Sequence, residues 1–162
     1  MSEIQRDEVL NYRPGPDSEL PLEDGETVLA VFTPDSTRYW KDHVVLGAIG
    51  AGLVALVLVW MGKTGQIGIA TIAIAIGMGL RGVYFKSEVF ARRWQLTDRR
   101  LVGPQGRQVM LLEIETIRRL MGDVQVVTKG GAKHLIRHLA DSESVVQEIE
   151  SARTARKMRA ST

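Results

Sequence analysis

Residues 44–80 read VVLGAIGAGLVALVLVWMGKTGQIGIATIAIAIGMGL, and this stretch decides the architecture. From Val44 to Gly62 there are 19 residues without a charge, and from Thr64 to Leu80 there are 17 more, with Lys63 alone between them. A helix rises about 1.5 Å per residue, so roughly 20 apolar residues cross a hydrocarbon core of about 30 Å. The first run meets that length. The second meets it when Arg81 snorkels and the span continues through Gly82-Val83-Tyr84-Phe85. The isoleucines of Ile67–Ile76 alternate with Ala and Gly, so the alternation is in size and not in polarity. An unpaired strand in lipid would leave its backbone groups unsatisfied, whereas a helix satisfies them internally. The stretch therefore predicts a transmembrane helical hairpin over residues 42–85, turning tightly at Met61–Gly65.

Working outward, the flanks differ in charge. Residues 1–43 carry 10 acidic and 4 basic groups; residues 81–162 carry 9 acidic and 16 basic groups. A secretory leader would place its apolar core just behind a basic start, which this order does not do. Basic residues near helix ends mark the cytoplasmic side. Arg38, Lys41, Arg81, Lys86, Arg92 and Arg93 flank the hairpin, and the connecting loop has only Lys63. Both termini are expected in the cytoplasm.

Residues 1–25 read as a flexible acidic tail, with turn chemistry at Asn11-Tyr12-Arg13-Pro14-Gly15-Pro16-Asp17. Residues 26–41 hold a strand, Thr27–Thr33, and an interfacial lead-in, Arg38-Tyr39-Trp40-Lys41. Beyond the hairpin, Arg93–Thr97, Arg100–Val102, Gln108–Leu112, Thr116–Met121, Val124–Thr128 and Lys133–Leu139 form a meander of short strand candidates. Turns at Asp98-Arg99, Gly103-Pro104-Gln105-Gly106, Gly122-Asp123 and Gly130-Gly131 punctuate it. Asp141 or Ser142 can cap a helix whose apolar face is Val145, Val146, Ile149 and Ala152. A fraying basic tail is expected over 154–162.

Trp94-Gln95-Leu96-Thr97-Asp98-Arg99-Arg100-Leu101, following two membrane segments, resembles the bacterial pleckstrin-homology-like domain of small membrane proteins. Gly103, Glu113-Ile114-Glu115-Thr116-Ile117, Gly130-Gly131 and Ser142–Ala152 occupy places comparable to that family's glycine, Leu-x-x-Ile strand end, hairpin and C-terminal helix. The resemblance covers residues 92–152. It implies seven strands and a capping helix, whereas residues 92–140 offer five or six strands, so Thr27–Thr33 is a candidate for the missing one. The expected fold class is thus α+β: a two-helix transmembrane hairpin plus a small antiparallel β domain over 86–153, capped by a C-terminal helix. The resemblance also implies a non-enzymatic, membrane-tethered interaction domain, a scaffold or assembly factor for a larger membrane complex, photosynthetic or respiratory. Some members of the family are associated with photosynthetic complex assembly.

Several motifs are better read without chemistry. Gly62-Lys63-Thr64 lacks the glycine that a phosphate loop needs five positions before Gly62, where Val57 stands. His134 and His138 on one strand would lie about 13 Å apart, too far to share a metal ion. Glu113 and Glu115 share a strand face but have no nucleophile or metal set beside them. The chain has no cysteine, which excludes disulfides and thiol chemistry. No catalytic, cofactor or metal residues are therefore expected.

Two sets of binding residues remain. Gly47, Ala51, Ala55, Ala48 and Gly52 on the first helix, and Ala73, Ala75, Gly77 and Gly79 on the second, form small-residue faces suited to close packing. They serve the hairpin itself, a second integral membrane protein or a homo-oligomer. Lys86, Arg92, Arg93, Arg99, Arg100, Arg107, Arg118 and Arg119 are the expected partner surface, either for protein or, in the alternative reading, for anionic lipid headgroups, which attract juxtamembrane cations. Interleaved acids argue against nucleic acid.

Overall fold

The computed structural model describes residues 19–161, so most of the expected acidic tail, residues 1–18, lies outside the described residues. The chain is α+β. It divides into two compact units, residues 35–87 and a β unit made from both flanks, residues up to Pro34 and from Glu88 onward.

The β unit holds seven strands among the described residues: β1 Val28–Phe32, β2 Trp94–Thr97, β3 Arg100–Val102, β4 Gln108–Met110, β5 Ile114–Leu120, β6 Asp123–Thr128 and β7 Lys133–Ile136. All pairings are antiparallel, in one sheet ordered β1-β2-β3-β4 and another ordered β5-β6-β7. Val31 faces Gln95 and Phe32 faces Trp94, so the strand before the hairpin does complete the sheet after it. β6 shows the expected period of two: Val124, Val126 and Thr128 are buried, while Gln125 and Val127 are half-buried. Both sheets contribute to one core, which includes Phe32, Leu96, Leu101, Val109, Leu111, Ile114, Val126 and Ile136.

The fourth strand is shorter than its sequence suggests. It ends at Met110, and Leu111–Glu113 form a 3₁₀ turn. Leu111 and Ile114 are both fully buried. A spacing of three puts both on one side of a 3₁₀ turn, whereas strand alternation would send one outward. Glu113 therefore lies in that turn and Glu115 in β5, so they are not two carboxylates on one strand face.

Helix α3, Ser142–Ala160, closes the unit. (The first two helices, α1 and α2, are the hairpin described below.) Asp141 is its N-cap and accepts from the Glu143 and Ser144 amides at 2.9 and 3.2 Å. Val145, Ile149 and Ala152 are buried, packed on the 3₁₀ turn, β5 and β6. The helix does not end near Arg153 but runs to Ala160. Lys157 and Arg159 in its last turn suit the negative end of the helix dipole.

The other unit is the hairpin: α1 Ser36–Trp60, a 3₁₀ turn Thr64–Gln66, and α2 Ile67–Ala91, whose last turn passes into the β unit. Both helices are long and apolar enough to cross a membrane. The expected interfacial lead-in Arg38–Lys41 is already helical, because Asp35 caps α1 by accepting from the Arg38 amide at 2.7 Å. Leu46, Leu53, Leu56, Trp60, Ile69, Ile72, Ile76 and Leu80 are all exposed. Almost none of either apolar window is buried within the chain.

Candidate functional site

The basic residues named from sequence divide into two groups. The first is turned inward by the acidic segment ahead of β1. Arg100 is buried, and its Nε and a terminal nitrogen donate to the two Glu26 carboxylate oxygens at 3.0 and 2.9 Å. The same terminal nitrogen also donates to the Pro21 carbonyl at 3.0 Å, and the other terminal nitrogen donates to Gln108 Oε1 at 2.7 Å. Arg99 meets Glu23 at 3.2 Å and the Asp24 carbonyl at 3.3 Å. Arg93 holds Glu19 with two bonds of 2.8 and 3.1 Å, and Gln95 donates to the same carboxylate. Arg93, Arg99 and Arg100 therefore form an internal clasp. For Arg100 this corrects the expected surface role: it faces the interior because a buried carboxylate needs its charge.

The Thr97-Asp98-Arg99-Arg100 turn builds that clasp. Thr97 Oγ1 accepts from the Arg99 and Arg100 amides at 3.2 and 2.9 Å, which fixes the turn. Its own hydrogen serves either Glu26 Oε1 at 2.7 Å or the Arg100 carbonyl at 2.8 Å. Asp98 and Thr27 exchange bonds, the Thr27 amide to the Asp98 carboxylate and the Asp98 amide to the Thr27 carbonyl, each 3.0 Å. Burial raises the Glu26 pKa, but the Arg100 bonds, the Glu23 amide and Thr97 outweigh it and hold the carboxyl at about 2.

The second group surrounds a cleft of about 260 Å³ in the β unit. Phe32, Pro34, Trp94 and Pro104 give it apolar walls, and Arg92, Arg107, Arg137 and His138 give it positive charge. Trp94 is set by Gly103, since a Cβ there would lie 2.6 Å from the indole ring. His134 packs edge-on against the same ring, with centroids 6.0 Å apart. Burial first, and the Arg107 charge second, push the His134 pKa below its usual value. Arg92 pairs with Glu88. Arg107 donates to Gln105 Oε1 at 3.2 Å. Among the described residues no carboxylate pairs with Arg107 or Arg137.

Arg137 and His138 were not legible as site residues. His138 has φ of 55°, so it leaves the extended path of β7, and its amide donates to Asp123 at 2.9 Å. The pair His134 and His138 thus serves neither one strand face nor one ion: the first packs on Trp94 and the second lines the cleft. The remaining members of the basic set lie elsewhere. Arg119 forms an exposed pair with Glu143 at 2.9 Å, and Lys86 and Arg118 are exposed.

Within the hairpin unit Gly47 faces Met78, where a Cβ would lie 3.5 Å from its side chain. Gly47, Ala48, Ala51, Ala75 and Gly79 line an apolar groove of about 350 Å³ between α1 and α2. Gly52, Ala73 and Gly77 are exposed, and Ala55 is half-buried. A Cβ would meet nothing within 4 Å at Gly52, Gly77 or Gly79. The close approach is at Gly82, where a Cβ would lie 2.7 Å from the Trp40 ring. Tyr39 Oη also donates to the Gly82 carbonyl there, at 2.7 Å. The signal was the aromatic cluster Tyr39, Trp40 and His43, which needs a residue without a side chain opposite it.

Fold and site together define an α+β chain with an exposed apolar helical hairpin and a β unit that carries a cationic cleft. Compared with known proteins, it matches no family model, no curated protein and no solved structure.

Proposed function

We propose that the chain is a membrane-anchored, pleckstrin-homology-like binding protein. It is non-enzymatic and acts as a scaffold or assembly factor for a larger complex in the bacterial cytoplasmic membrane. One observation carries this reading: four strands and three strands closed by a C-terminal helix, with the hairpin inserted between β1 and β2 of the same sheet. That count and order agree with the seven strands and capping helix which the Trp94–Leu101 resemblance implies. Pairing of β1 with β2 brings the two ends of the hairpin together, which supports both ends on one side, and the excess of Lys and Arg on the flanks supports a cytoplasmic side.

The absence of native cysteine makes the topology directly testable. Gly65→Cys should react with an impermeant maleimide from outside the cytoplasmic membrane, and Lys129→Cys only after the membrane is opened. Labelling of both from the same side sinks the hairpin. For the scaffold role, extraction from native membranes in a mild detergent should give a complex with an integral membrane protein in fixed ratio. A monodisperse monomer sinks that role.

A further inference from the structure

We propose that the cleft beside Trp94 is a docking site for an acidic and apolar peptide, and that its occupant is residues 7–12 of the same chain, Asp7-Glu8-Val9-Leu10-Asn11-Tyr12. The acidic flank ahead of β1 already behaves this way where it is described. Glu19, Glu23 and Glu26 engage Arg93, Arg99 and Arg100 in turn. Two arginines at the cleft, Arg107 and Arg137, are exposed and have no carboxylate partner among the described residues. Arg92 beside them pairs with Glu88 through one nitrogen, while its Nε is buried with no hydrogen-bond partner among the described residues. Upstream of Glu19, Asp7-Glu8 is the one adjacent pair of acids in the sequence. Its two charges match the two cations that the rest of the flank leaves unmatched.

The two surfaces match in polarity as well as in charge. Phe32, Pro34, Trp94 and Pro104 wall the cleft, and Val9-Leu10-Asn11-Tyr12 follows directly on the acid pair. At about 260 Å³ the cleft lies below the roughly 300–1,000 Å³ of sites that enclose a whole small ligand, so it suits side chains of a peptide lying across it. Reach is sufficient. Glu19 is bonded to Arg93, which stands in sequence between Arg92 and Trp94 of the cleft wall. The seven steps from Tyr12 to Glu19 span up to about 23 Å at about 3.3 Å each, against about 4.8 Å between neighbouring strands. Arg13-Pro14-Gly15-Pro16-Asp17 supplies turn chemistry for any change of direction on the way. A short tether also holds a segment at an effective concentration in the millimolar range, which favours this occupant over a detached peptide of equal charge. The proposal concerns the β unit alone and does not depend on the hairpin being a membrane anchor.

The test follows chymotrypsin cleavage after Leu10 and Tyr12 in the full chain in detergent, read by intact mass. With dilute protease, cleavage tracks the fraction of chains whose segment is released. The Arg107→Gln/Arg137→Gln double variant should be cut there at least about tenfold faster than the wild type. Reversing the acids with Asp7→Lys/Glu8→Lys should have the same effect. Combining that reversal with Arg107→Glu/Arg137→Glu should restore protection to within about threefold of the wild type. Because Arg107 and Arg137 are exposed, the double Gln variant should keep the wild-type melting temperature; if it does not, Arg137→Gln alone carries the test. Equal cleavage of the wild type and the Gln variant overturns the proposal, as does a charge exchange that restores no protection. Protection that vanishes on dilution of the protein assigns the occupant to a second copy and overturns docking within the chain.

Discussion

Glu26 is the residue on which the β unit is most exposed to pH. Its side chain is fully buried against Arg100, and its carboxyl is held at about 2 against an ordinary 4.5. A carboxyl with a depressed pKa stabilises the folded state above its unfolded pKa, and that stability is lost as pH falls through the folded value. The shift corresponds to something on the order of 3 kcal/mol, lost between about pH 4.5 and about pH 2. Melting of the full chain in detergent should therefore show a steep fall over this window. Glu26→Gln should start lower by about 3 kcal/mol, because it leaves Arg100 buried without its counter-charge, and should be much flatter with pH. An unchanged pH profile in Glu26→Gln would show that other carboxylates dominate. Little of this was legible beforehand. Glu26 and Arg100 stand 74 positions apart, and no periodicity joins residues that meet only through the fold. The local sequence reads as an exposed turn, so Arg99 and Arg100 look like surface charge. Turn chemistry itself was legible: Thr97 and Asp98 bond to nearby backbone as such residues do.

At the scale of elements, periodicity carried the reading where burial is regular and failed where it is not. The apolar runs gave both hairpin helices, and β6 and α3 followed their periods of two and 3.6. The 3₁₀ turn at Leu111–Glu113 was not visible, because its geometry follows from burying Leu111 and Ile114 together. The tightest helix contact was not legible for a related reason. Small residues recur all along α1 and α2, and spacing alone does not say which of them meets a large neighbour. The contact at Gly82 gives a sharp contrast among glycines. Gly82→Ala should destabilise the hairpin by about 1–3 kcal/mol, because its methyl group collides with Trp40. Gly52→Ala and Gly77→Ala face open space and should be neutral or stabilising by up to about 1 kcal/mol through helix propensity. Tryptophan-monitored thermal unfolding in detergent ranks the three, and equal effects at all of them would remove Gly82 from its role.

The whole molecule is a β unit interrupted by a hairpin. Trp94 and Leu96 lie on β2, the strand beside β1, so losing β1 uncovers core as well as a sheet edge. Deleting residues 19–33 also removes Glu19, Glu23 and Glu26 and leaves Arg93 and Arg100 without counter-charges. The truncated chain should still insert its hairpin, whose two helices form their own unit. Residues 94–160 should become readily cleaved by limited proteolysis, while the full chain resists. Equal resistance would mean that β1 is dispensable.

The same interruption sets an order on biosynthesis. β1 leaves the ribosome first, but its partner β2 follows only after both hydrophobic helices have been made; Thr97 comes 71 residues after the Glu26 it will meet. Under the proposed topology, a chain in which one helix failed to enter the bilayer would strand β1 and β2 on opposite faces of the membrane. Its β2 edge, Arg100 and the apolar face of α3 would stay open to cytoplasmic proteases. Closing the sheet then serves as a receipt for correct insertion, and only chains that have made the return trip survive quality control.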